Sequence, residues 1–173
     1  MKSKKKSSRL RFNFGFLLEA DLGTRRTIEL DYPTIRVEDV RLAPLRGSFQ
    51  AIRASKGIYI TGTLNTSIAT ECARCLTGVM FSAELQLDDM FYYPASLAPP
   101  GEFGVGEDGF IDLTPLVRQL SLLEVPMQLY CQEACKGLCV ECGQNLNEGQ
   151  CDCVPEAIDP RMAALKNLLE SSS

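Results

Sequence analysis

The sequence predicts an α+β protein: an antiparallel strand-rich sheet or small barrel, with a cysteine-rich zinc module and a C-terminal helix. Three observations carry this expectation. Five or six short segments with period-two alternation follow one another without helical patterns between them. Helix-opening signals stand further along, at Thr114-Pro115 and Asp159-Pro160. Eight cysteines and no histidine occur in a chain of 173 residues, which is long enough to bury a core without crosslinks.

Each element follows in order. Residues 1–8 (MKSKKKSS) are too polar to bury anything and form a basic flexible tail. The strand-rich domain is expected over 9–130. Leu10, Phe12, Phe14, Phe16 and Leu18 alternate, which is a strand period. Short strands are expected at Thr24–Leu30 and Phe49–Ile52. Gly57 marks a hairpin turn before the strand from Ile58 to Leu64, and alternation returns from Val79 to Leu87. Residues 94–109 hold seven Pro or Gly in sixteen positions and form a loop. A helix spans about 115–124, with Thr114 as N-cap, Pro115 at the first helical position and Leu116, Leu120 and Leu123 at helical spacing. Pro126 stops it. Residues 131–173 form the cysteine-rich segment and a last helix, whose Met162, Leu165 and Leu169 share a face. No internal repeat is visible.

Composition narrows function. The chain is 45% hydrophobic and 23% charged, as globular proteins are. Without histidine there is no Ser-His or Cys-His nucleophile and no His-ligated metal. No run approaches the roughly 20 apolar residues of a membrane span, and no apolar stretch backs the N-terminal charges as in a signal peptide. The expected location is cytoplasmic, where cysteines are thiols or thiolates rather than disulfides. The net charge of −4 hides an asymmetry: residues 1–60 hold 13 Lys+Arg against 6 Asp+Glu, and residues 61–173 hold 5 against 16. Such a split points to a polyanion at one end only.

Two cysteine pairs, Cys72/Cys75 and Cys139/Cys142, have CxxC spacing. That spacing turns two sulfurs toward one ion, and zinc accepts four thiolates tetrahedrally. Gly143 suits the positive φ that such a knuckle turn requires. The preferred grouping is two zinc ions: Cys72, Cys75, Cys131 and Cys135 at one, and Cys139, Cys142, Cys151 and Cys153 at the other. One zinc held by any four of the last six cysteines is the alternative. A redox CxxC would open a helix, whereas Cys75 runs into Leu-Thr-Gly and a strand. An iron–sulfur cluster would use the same ligands.

Gly62, the CARCL at 72–76, Phe110-Ile-Asp-Leu, the CQEACKGLCVECGQNLN run from Cys131, Cys151-Asp-Cys153 and Ile158-Asp-Pro-Arg-Met together resemble the bacterial YceD (DUF177) family. Val140 departs from the proline common at its position. The resemblance implies a non-enzymatic factor that supports 23S rRNA accumulation and large-subunit assembly. Its implied partners are rRNA or a pre-ribosomal particle, with a ribosomal protein as a further one, and it carries over no catalytic residue, small-molecule substrate or membrane.

The residues themselves offer Lys2, Lys4, Lys5, Lys6, Arg9 and Arg11 for RNA phosphates, since a basic arm gains affinity by counterion release; a solvated terminus is the plainer alternative. Phe12, Phe14 and Phe16 could stack on bases, but their alternation favours a core strand. Eight thiolates and two Zn²⁺ would make the acidic half more negative still. That half suits a scaffold, or a dock for a basic partner, better than an RNA contact.

Overall fold

The computed structural model describes residues 9–153. The expected tail at 1–8, with its four lysines, and the helix expected after Asp159-Pro160 lie outside the described residues. Within them the order is β1 (Arg11–Asn13), α1 (Gly15–Leu18), β2 (Arg25–Tyr32), β3 (Ile35–Val37), β4 (Val40–Ala54), β5 (Gly57–Glu71), β6 (Gly78–Tyr92), β7 (Phe103–Gly104), β8 (Phe110–Asp112) and α2 (Thr114–Glu124). A six-stranded sheet runs β2-β4-β5-β6-β7, with β3 pairing off β4, and β1 with β8 forms a separate two-stranded ribbon. The large sheet is open, with β2 and β7 at its ends. Of the two expected architectures the sheet is therefore observed and the barrel is not. No helix among the described residues is long and apolar enough to cross a membrane.

Three long strands dominate. β4, β5 and β6 have 15 residues each, roughly 50 Å of extended chain. The turn expected at Gly57 is present: Ala54 pairs with Gly57 across Ser55-Lys56. One face of these strands is apolar and builds the core from Leu45, Phe49, Ile58, Ile60, Leu64, Leu85 and Phe91, all buried. Gly62 stands opposite Phe49, where an added Cβ would fall 2.5 Å from the Phe49 Cα. Only glycine allows the strands to approach so closely there.

Five expectations need correction. The alternation from Leu10 to Leu18 is a strand only as far as Asn13. The Asn13 side chain accepts the Gly15 N–H at 2.9 Å, which turns the chain into α1 and buries Leu17 while leaving Phe16 exposed. Phe12 and Phe14 do join the core, with ring centroids 5.5 and 6.3 Å from that of Phe49. The sheet is also not wholly antiparallel, because β6 and β7 pair in parallel at Phe91–Phe103 and Tyr92–Gly104. The Pro- and Gly-rich segment lets the chain double back, and Phe103 stacks on Phe91 at 5.2 Å. So residues 94–109 carry β7 and a 3-10 turn at Ala95–Leu97 rather than loop alone.

The start of α2 differs too. Leu113 is its N-cap, and Asp112 accepts the Thr114 N–H at 2.9 Å. Thr114 is therefore the first helical residue rather than the N-cap, and Leu113 offers no side-chain cap. Finally, the buried stripe of α2 is Leu116, Val117 and Ser121, with Leu120 partly buried against the core. Leu123 is 80% exposed, because only the first two turns lie over the sheet body.

Candidate metal centres

The distal end of the β5–β6 hairpin carries the first site. The ladder closes at Glu71–Gly78, so Cys72-Ala-Arg-Cys75-Leu-Thr forms the turn. Two backbone bonds shape it: Cys72 N–H to Thr77 O at 2.9 Å and Leu76 N–H to Cys72 O at 3.0 Å. The same two bonds recur at the same offsets in Cys139-Val-Glu-Cys142-Gly-Gln, from Cys139 N–H to Gln144 O at 2.8 Å and from Gly143 N–H to Cys139 O at 2.9 Å. The residue after the second cysteine is left-handed in both, at φ 56° for Leu76 and 73° for Gly143. The two CxxC segments thus share a backbone turn as well as their cysteine spacing.

Leu76 occupies a conformation that suits glycine, and its side chain is 60% exposed, so little burial compensates the strain. Leu76→Gly should therefore raise stability by about 0.5 kcal/mol, because relief of left-handed strain outweighs the extra chain entropy. Gly143→Ala should lower it by about 1 kcal/mol. Denaturant melts of the two variants check the opposite signs.

The sulfurs converge in two groups of four. Cys72, Cys75, Cys131 and Cys135 have all their sulfurs within 4.8 Å of one another, and so do Cys139, Cys142, Cys151 and Cys153. Cys72 Sγ lies 3.8 Å from Cys135 Sγ, and Cys75 Sγ lies 3.5 Å from Cys131 Sγ. A tetrahedral ion with sulfur bonds of about 2.3 Å has sulfur–sulfur edges of about 3.8 Å. Disulfide bonding would need about 2.05 Å. Each cluster could hold one metal ion, and the donor set is thiolate throughout.

Electrostatics favour a cation in each. Burial pushes the Cys72 thiol up, but the backbone N–H groups at Cys75, Arg74 and Cys131 outweigh it and bring its pKa to about 6. The Thr77 hydroxyl and N–H lower Cys75. Cys131 is pushed up to about 12, first by its contact with Cys75 and then by burial. The second cluster repeats this. N–H groups of Cys142 and Glu141 lower Cys139 to about 7, whereas contact with Cys142 and burial raise Cys153 to about 12. Each CxxC turn stabilises a thiolate, and Cys131, Cys151 and Cys153 are raised because clustered anions repel. A divalent ion removes that repulsion and releases their protons.

The clusters differ in shielding. Cys72, Cys75 and Cys135 are buried with Val79 and Leu138 against them, as a small core separate from that of the sheet, while Cys131 is exposed. In the second cluster Cys142 and Cys153 are exposed, and Cys139 and Cys151 are half-buried. Arg74 clamps the first site: its guanidinium donates to Cys135 O at 3.1 Å and sits 4.4 Å above the Tyr130 ring, and its own carbonyl accepts the Leu138 N–H at 3.2 Å.

Two asparagines, to which sequence reading assigned no role, join the clusters. Both lie in the loop that the second cluster closes. Asn147 donates from Nδ2 to Cys135 Sγ at 3.4 Å and accepts the Lys136 N–H at 2.9 Å. Asn145 accepts from Asn147 Nδ2 at 2.8 Å and donates to Thr77 Oγ1 at 3.3 Å. The polar NLN string, with asparagines two apart facing one way, was the available signal.

The cations expected to meet RNA are divided. Arg11 lies in β1, ion-paired with Asp108 and 4.4 Å above the Phe110 ring. Arg9 is exposed and stands beside a surface cleft.

A family model described as large ribosomal RNA subunit accumulation protein YceD matches residues 60–169. The chain is 30% identical to the uncharacterised YlbN protein of Bacillus subtilis over 147 residues, covering 83% of this chain and 86% of that protein. It is 35% identical over 123 residues to an uncharacterised protein of Mycobacterium tuberculosis, covering 69% of this chain and 59% of the relative. A chloroplastic Arabidopsis thaliana protein, named a YCED homolog for large ribosomal RNA subunit accumulation, is 29% identical over 157 residues; the match covers 73% of this chain and 49% of that protein. The chain thus spans well under two thirds of the mycobacterial and plant relatives. No solved structure matches it.

Proposed function

Because the chain belongs to the YceD family, we propose that it is a non-enzymatic, zinc-binding factor supporting 23S rRNA accumulation and assembly of the large ribosomal subunit. The observation that carries the metal half of this reading is the convergence of all eight cysteines into two four-sulfur clusters. Zinc suits them because it needs no ligand beyond four thiolates and imposes no redox chemistry. Its part is structural: it holds the hairpin end to the chain after α2.

The RNA half rests on the family's name and on charge. The clusters lie in the acidic part of the chain, with 16 Asp+Glu against 5 Lys+Arg, which repels phosphate. RNA contact accordingly falls to residues 1–60, and the acidic surface is left for a basic ribosomal protein. Neither CxxC opens a helix among the described residues, which weighs against a thiol redox role.

Metal analysis of the purified chain should find two zinc ions and no iron. Depletion of the protein in its host should lower 23S relative to 16S rRNA. Association with large-subunit precursors should be lost after RNase treatment; association that survives RNase would move the reading to the protein-docking alternative.

A further inference from the structure

The hairpin of β3 and β4 carries an arrangement that local pairing leaves unbalanced. Ile35 and Val37 are buried, so Arg36 stands on the opposite, solvent face. Its register partner is Arg41, also exposed. Like charges directly opposed across an antiparallel ladder destabilise it. Two acids, Glu38 and Asp39, sit at the tip of the same hairpin, yet both are held by Arg118 of α2. Arg118 Nε lies 3.1 Å from the Glu38 carboxylate and 2.5 Å from that of Asp39, and Nη2 adds a second bond to Asp39 at 2.9 Å. The ion pairs of the described residues include neither Arg36 nor Arg41.

The geometry around them is built rather than diffuse. Arg36 donates from Nε to the main-chain oxygen of Glu38 at 3.0 Å, which fixes the guanidinium plane and leaves its terminal nitrogens for another partner. Arg36 and Arg9 line one cleft of about 860 Å³, with Thr34 and Thr114. The Tyr32 hydroxyl donates to the Arg9 carbonyl at 3.0 Å and anchors the chain there. Two acids also line the cleft, but Glu38 faces Arg118 and Asp112 accepts the Thr114 N–H. In the sequence Lys2, Lys4, Lys5 and Lys6 precede Arg9, separated from it by Ser7 and Ser8.

We propose that the Arg9–Arg36 cleft and the adjoining Arg36–Arg41 pair bind the phosphodiester backbone of single-stranded RNA. This rests on the reading that the protein contacts RNA, and it assigns that contact to one face. Phosphates neutralise the opposed arginines, and guanidinium groups suit phosphate oxygens because they donate two parallel hydrogen bonds.

The test measures binding of a mixed-sequence, single-stranded RNA to the full, metal-loaded chain at several salt concentrations. The R36A/R41A double variant keeps the fold, since both side chains are exposed and their mutual repulsion is removed; a thermal melt verifies that. Its salt slope should fall by about 1.4, at roughly 0.7 per phosphate contact, which corresponds to about 25-fold weaker binding at 0.1 M salt. R25A/R26A removes the same charge from the edge strand β2 and should change the slope by less than about 0.5. Equal losses in both variants, or an unchanged slope in R36A/R41A while the parent binds RNA, would overturn the site alone. A parent that binds no RNA would overturn the functional reading with it.

Discussion

Cys75→Ser should release one of two metal ions and lower the midpoint of thermal unfolding by about 10 °C. The buried Cys75 thiol sits in the turn that ends the β5–β6 hairpin. Its three sulfur partners include Cys131 and Cys135, more than fifty residues further along the chain. Between α2 and those cysteines little apolar surface is buried: Met127 is fully exposed and Tyr130 is 37% exposed. What holds this stretch to the hairpin is the Ala73 N–H bond to Leu129 O at 2.8 Å, the Arg74 clamp and the four-sulfur site. Any ligand bound by the folded state alone adds stability as the logarithm of its saturation. With metal near a thousand times its dissociation constant, removing one site lowers the midpoint by about 10 °C for a chain of this length. The sheet has its own core, so it should still melt cooperatively, whereas amides around 72–77 and 129–138 lose exchange protection. Metal analysis and a melt decide the matter: a variant that keeps two ions, or whose midpoint stays within about 2 °C, would show that Cys75 is not a ligand.

The presence of the central strands was legible but their length was not: alternation marks only Phe49–Ile52 and Ile58–Leu64, whereas β4 and β5 run to 15 residues each. Thr61, Thr63 and Asn65 alternate with Ile60, Leu64 and Ile68 closely enough to declare β5, and the same rhythm declares β6. The grouping of cysteines was legible because each CxxC has a second close pair within reach. What stayed hidden was set by single polar atoms. The Asn13 side chain ends a strand whose apolar rhythm continues to Leu18, and α2 starts one residue earlier than Thr114 as N-cap would place it, with Leu113 as N-cap and Asp112 accepting the Thr114 N–H. Leu76 gives no sign of its left-handed backbone, because leucine rarely adopts it; the hydrogen bonds of the hairpin turn impose it. Parallel β7 is two residues long, too short for any periodicity. The paired CxxC spacing is plain in the sequence, but the shared backbone turn is not, because leucine stands in one copy where glycine stands in the other.

Asn147→Leu should weaken metal binding at the first cluster by about 10- to 100-fold while the second cluster keeps its ion, because partners that hydrogen-bond a ligand orient it and tune its affinity. Asn147 belongs to the loop between Cys142 and Cys151, yet its amide donates to Cys135 Sγ and fixes the Lys136 N–H. Asn145 braces it and reaches Thr77, whose hydroxyl contacts Cys75 Sγ at 3.2 Å. With Cys75 as a thiol, the S–H donates to that hydroxyl. As a metal-bound thiolate the sulfur can only accept, so Thr77 donates to it and still accepts from Asn145. Two sulfurs of the first site therefore depend on a loop that the second site closes. Cys142→Ser, which opens that loop without touching the first site, should weaken the first site in the same direction, and coupling between two binding sites is reciprocal. Titration with Co²⁺, followed through its thiolate absorption bands, separates the two steps. If Cys142→Ser binds its remaining ion as tightly as the parent binds its first-cluster ion, the clusters are independent and the asparagines serve only to pack the loop.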